Sequence, residues 1–129
     1  MPKKKIAKIQ YVTLGKISPE EFLKYIPSGP SKPVYKEWFG VLIRMTNRRY
    51  VIYLKKGINC IVCGLKGAYF AVQKVASQTT DKWHVNLYSR DGKQINIDHT
   101  KPRSKGGKDN FDNKQPMCCT CNNKKADKY

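Results

Sequence analysis

Two Cys-x-x-Cys pairs, Cys60 with Cys63 and Cys118 with Cys121, stand 54 residues apart (64 to 117) in a chain of 129. In a reducing compartment such pairs usually hold metal rather than form disulfides. A tetrahedral four-cysteine zinc site would staple a core that a chain of this size leaves modest. The separation is too long for a compact zinc ribbon, so the metal is expected to tie distant parts of the chain together. The fifth cysteine, Cys119, is read as a packed free thiol.

Lysine and arginine number 26 against nine acidic residues, a formal net charge of +17. That excess goes beyond what solubility requires and favours a polyanionic partner, most commonly nucleic acid. A structural role in a ribonucleoprotein, or plain surface solvation, would also use such charge. No apolar run reaches the roughly eighteen residues of a membrane span. The opening MPKKKIAKIQ has no signal-peptide core. The expectation is a soluble, intracellular, cytoplasmic protein with no membrane partner.

Residues 2–8 form a lysine-rich arm. Ser18-Pro19-Glu20-Glu21 has the form of a capping box with proline at the first helical position, which predicts a short helix from about Pro19 to Ile26. Pro27, Gly29, Pro30 and Pro33 make residues 27–34 a linker. Thr46 or Asn47 can cap a second helix ending at Gly57, with Tyr50, Val51 and Leu54 at helical spacing. Aromatic and β-branched residues in 68–75 favour a strand. Alternation on both sides of Arg90-Asp91-Gly92-Lys93 predicts a β-hairpin ending at His99. Residues 100–113 read as a long polar loop, of the sort that often carries function. A short helix is then expected from about Cys119 to Asp127. The organisation read from this pattern is a basic arm, helix and linker over 1–45, as scaffold or specificity extension, and a second unit over 46–129.

The segment DHTKPRSKGGKDNFDNKQPMCCTCNNKKAD, residues 98–127, resembles the signature of HNH endonucleases, a family with the ββα-metal fold. Asp98 and His99 match the pair that ends the family's hairpin. Pro102, Ser104, Gly106 and Gly107 match its loop, Asn113 its middle motif residue, and Asn122 the position after the second Cys-x-x-Cys. The resemblance extends from Cys60 to the C-terminus, and residues 84–99 also look like phage-encoded relatives. With asparagine at the last motif position the chain resembles the HNN variant. The fold class implied is α+β: a small ββα-metal core stapled by four cysteines, with an N-terminal helical and basic extension.

The residue chemistry points the same way. Phosphodiester hydrolysis needs an activated water, neutralised phosphate charge and a stabilised leaving oxygen. His99 titrates near neutrality and can take a proton from water, the base role that the resemblance assigns to it. Asp98 offers a carboxylate and Asn122 an amide oxygen, a hard donor pair suited to Mg2+ or Mn2+. On a helix Asn122 lies about 100° from Cys121, so zinc could sit behind the helix and the second ion in front. In a regular strand Asp98 and His99 point to opposite faces, so the strand should end or bulge near Asp98.

Asn113 is expected to hold the loop and orient His99; Asn110 is less well spaced for that role. His84, at the start of the first hairpin strand, is a weaker candidate for the site. Arg103, Lys105 and Lys108 in the loop, with Lys125 three residues beyond Asn122, are candidate phosphate contacts. The implied activity is cleavage or nicking of DNA, double-stranded by preference, leaving 5′-phosphate and 3′-hydroxyl ends. Cutting both strands would take a homodimer or two successive nicks. The rival expectation is a catalytically inactive, zinc-stapled nucleic-acid-binding module.

Overall fold

Arg90-Asp91-Gly92-Lys93 turns the chain as its Asp-Gly pair predicts. Gly92 takes φ 84°, and the Ser89 and Gly92 amides close the turn onto the Lys93 and Ser89 carbonyls. The strands it joins are β5 (His84–Ser89) and β6 (Gln94–His99). They belong to a five-stranded antiparallel sheet ordered β1-β4-β5-β6-β7, with β1 Tyr11–Ile17, β4 Gly67–Val75 and β7 Lys114–Cys118. The computed structural model describes residues 10–29, 31–77, 82–99 and 113–125, with His99 and Lys125 by their backbone only. Among these residues the helices are α1 (Pro19–Leu23), α2 (Arg48–Lys56) and α3 (Cys119–Lys125), and a separate hairpin pairs β2 (Tyr35–Trp38) with β3 (Val41–Arg44). The fold is a mixed α+β domain built on a sheet, as expected.

Both predicted helix starts use their caps: the Ser18 hydroxyl accepts from the Glu21 amide, and Asn47 Oδ1 accepts from the Arg49 amide. Gly57, with φ 99°, ends α2. Helix α1 stops at Leu23, short of the expected Ile26, and residues 24–26 continue only as turns. Residues 27–34 hold no helix or strand where described.

Four strands, β1, β2, β3 and β7, were not announced by sequence pattern. In β1 the apolar Val12 and Leu14 are exposed, so no inward stripe exists to read. The β2–β3 hairpin turns through Phe39-Gly40, with φ 51° and 84°, a pair of left-handed residues lacking the usual Asn-Gly signal. In β7, Pro116 argues against a strand. It is tolerated because β7 is an edge strand, and its carbonyl accepts the Ile61 amide at 3.0 Å.

One core serves the whole sheet. Phe22 of α1 is fully buried, stacked on Phe70 of β4 at 4.4 Å and edge-on to Tyr50 of α2 at 5.1 Å. Val72, Val85, Leu87 and Ile95 complete the layer beneath α2. Strands β5 and β6 pair only near their turn, at Leu87 with Ile95 and Tyr88 with Gln94. Farther along, Val85 gives its amide to the Tyr50 hydroxyl at 2.9 Å and takes a bond from the Arg49 guanidinium at 3.1 Å. Helix α2 thus satisfies the backbone where β5 and β6 part, toward the end of β6 that carries Asp98 and His99.

Candidate active site and metal centre

The turn between α2 and β4 is built to present two thiols. The Cys60 amide donates to Leu65 O at 2.9 Å and the Gly64 amide to Cys60 O at 3.0 Å, with Gly64 at φ 77°. This knuckle holds Cys60 buried and Cys63 exposed. Cys118 ends β7 and Cys121 lies in the first turn of α3. The four sulfurs all fall within 4.8 Å of one another, and Cys63 Sγ is 3.7 Å from Cys118 Sγ. Tetrahedral zinc at about 2.3 Å from each thiolate would separate sulfurs by about 3.8 Å. The donor set and spacing therefore fit zinc. Cys119 is half-buried and outside the cluster.

The thiols differ in how their surroundings treat the charged form. Burial pushes Cys60 up, but backbone amides of Cys118, Cys63 and Val62 directed at its sulfur bring it down to about 6. Cys121 is pushed up to about 12 by burial and by sharing the site with Cys118, Cys63 and Cys60. Cys118 is raised by burial as well. Four thiolates this close repel one another, and a divalent metal removes that obstacle.

The expected catalytic residues gather on one supersecondary unit. Strand β6 pairs with β7 from Ile95 opposite Cys118 to His99 opposite Lys114, with no register shift. Of the two expectations near Asp98, an end or a bulge, the strand shows an end: β6 closes one residue later, at His99, without a bulge. Helix α3 follows β7 directly and packs on both strands. The order is thus strand, loop, strand, helix. The strands joined to α3 are β6 and β7, and not the β5–β6 hairpin that the Asp-Gly turn predicts.

Asp98 is half-buried on β6, Asn113 is half-buried immediately before β7, and Asn122 is half-buried in α3. Backbone of His99 ends β6, and that of Lys125 ends α3. Arg103, Lys105, Lys108, Asn110 and the loop residues Pro102, Ser104, Gly106 and Gly107 lie outside the described residues, as does the 2–8 arm. His84 makes an edge contact with Tyr11 at 5.9 Å, and burial and the nearby Arg49 charge hold it below the ordinary histidine value.

Arg49, Tyr50 and Tyr53 were not singled out for the site, although they hold its scaffold. The Tyr53 hydroxyl donates to the Ile95 carbonyl, two residues before Ile97 and three before Asp98. Their only sequence signal was membership of an amphipathic helix. No membrane-spanning helix occurs among the described residues.

Comparison with known proteins adds a family to this geometry. Residues 79–128 match the family model described as HNH endonuclease. No curated protein and no solved structure matches the chain.

Proposed function

Residues 79–128 match the HNH endonuclease family, and from that premise we propose that this chain is a metal-dependent DNA endonuclease. The observation that carries the reading is coincidence. The matched span covers β6, β7 and α3, and the same span supplies Cys118 and Cys121 to the four-thiol cluster. Zinc would hold the knuckle to β7 and α3 and leave the chemistry to the other end of the ribbon.

His99 acts as general base, drawing a proton from the water that attacks phosphorus. Asp98 and Asn122 provide the oxygen donors for Mg2+ or Mn2+. A divalent ion bound there supplies charge neutralisation at the phosphate and at the departing 3′ oxygen. Asn113, at the start of β7, holds the loop that orients His99. Arg103, Lys105, Lys108 and Lys125 grip phosphates, and double-stranded DNA suits the charge excess.

The test is cleavage of supercoiled plasmid with Mg2+, with Mg2+ omitted, and with His99→Ala. Relaxed or linear product should form only with Mg2+ and intact His99. Loss of a general base is expected to slow cleavage by about 10²–10⁴-fold. A folded, zinc-loaded protein that shifts DNA in a gel yet cuts neither DNA nor RNA would instead favour the inactive binding module.

A further inference from the structure

Beside the β6–β7 ribbon lies a basic groove outside the candidate catalytic and zinc residues. One hollow of about 190 Å3 is lined by Thr46, Arg48, Val51, Ile52 and Lys114. A second of about 400 Å3 is lined by Arg44, Thr46, Asn47 and Arg48. They share Thr46 and Arg48, so they adjoin, and together they make a groove from the end of β3, across the start of α2, to the start of β7. Three cations from three separate elements converge there. Among the described residues none that lines the groove is acidic, and neither Arg44 nor Arg48 pairs with a carboxylate.

The chemistry of the lining selects the ligand. Arg44 Nε donates to the Thr46 hydroxyl at 3.0 Å, which fixes the guanidinium beside that hydroxyl while leaving its terminal nitrogens for another acceptor. Arg48 is exposed at the first position of α2. Val51 and Ile52 give the groove an apolar floor at its β7 end, where fewer waters compete for the charges. Guanidinium forks suit phosphate oxygens, and a row of cations suits repeated phosphates. The position matters as much as the charge: Lys114 stands opposite His99 in the β6–β7 register.

We infer that this groove is a track for the phosphodiester backbone of a nucleic acid. Arg44 and Arg48 hold phosphates at a distance, and Lys114 receives the strand next to the end of β6. The location of the cut phosphate rests on the nuclease reading above; the binding track does not.

The experiment is the salt dependence of affinity for a short labelled DNA duplex, read by fluorescence anisotropy with no Mg2+ added. The protein is compared with Arg44→Gln, Arg48→Gln and their double variant. Each lost phosphate contact should lower the slope of log K against log salt by about 0.9, so the double variant should lose about 1.8. Lys32→Gln and Lys93→Gln, which remove equal charge away from the groove, should leave the slope unchanged. A folded, zinc-loaded double variant with the original slope overturns the proposal, as would an equal fall in the controls. A second readout needs no substitution: bound DNA should protect Lys114 from amine-reactive labelling more than it protects Lys93. Equal protection would also overturn it. Failure of the two readings is distinguishable: intact plasmid cleavage with unchanged slopes removes the track alone, and lowered slopes without any cleavage remove the nuclease alone.

Discussion

Gly67 and Gly15 both sit where a side chain would collide, yet they should respond differently to alanine. A Cβ at Gly67 would lie 2.5 Å from the Ile58 carbonyl oxygen, and that backbone is tied to Gly67 by a 3.1 Å hydrogen bond. Nothing there can swing aside, so Gly67→Ala is expected to cost about 3 kcal/mol in urea melts. A Cβ at Gly15 would instead meet the Phe39 ring at 2.5 to 2.7 Å. Phe39 is 51% exposed and can turn away. Gly15→Ala should therefore cost less, and the cost should largely vanish in a Phe39→Ala background. The buried tyrosines make a different case. Burial raises both Tyr50 and Tyr53 above the ordinary phenol value, so their hydroxyls stay protonated. Tyr50→Phe leaves the Val85 amide without its partner and Tyr53→Phe does the same to the Ile95 carbonyl. Each should lower stability by about 1–3 kcal/mol, measured the same way.

At the scale of elements, the four-thiol cluster joins pieces that share little else. Among the described residues the knuckle between α2 and β4 meets β7 and α3 through the cysteines and a backbone hydrogen bond from the Ile61 amide to the Pro116 carbonyl. One zinc per chain is expected by atomic absorption. Cys63→Ser and Cys118→Ser should each lose the metal and lower the melting temperature, whereas Cys119→Ser should keep both. Structural zinc sites in small peptides bind with about 10–16 kcal/mol of apparent free energy. Metal loss should thus exceed the effect of any single core substitution above. A cysteine variant that melts like the parent after complete zinc removal would show the staple to be unnecessary.

For the whole molecule the decisive fact is that residues 11–26 enter the same core as the matched family span. Strand β1 pairs along β4, and Ile17, Phe22 and Ile26 are buried with Phe70 and Val72. A fragment containing only residues 46–129 would uncover Phe70 and open one edge of the sheet. It is expected to lack a cooperative thermal transition even with zinc, a loss that circular dichroism melts would detect. A cooperative fragment would mark the first 45 residues as an appendage.

Much of this was legible along the chain because the signals are local. Ser18 and Asn47 cap helices through bonds to residues two or three positions away, and Asp91-Gly92 turns a hairpin within four residues. The spacing of the cysteines, and of Asp98, His99, Asn113 and Asn122, is likewise a property of the chain itself. The net charge needs no fold to be read. Partners far apart in sequence needed the tertiary structure. Pro116 becomes tolerable in a strand only because β7 lies at an edge, and Val12 and Leu14 form a strand without an inward stripe because β4 supplies the pairing. Tyr50 and Arg49 acquire a role at Val85 only when α2 is laid across the opening between β5 and β6. Arg44, Arg48 and Lys114 are unremarkable basic residues until three elements converge, since charge in sequence carries no direction. Local hydrogen bonding and ligand chemistry were decided by the sequence alone; which surfaces meet was decided by the packing of one shared core.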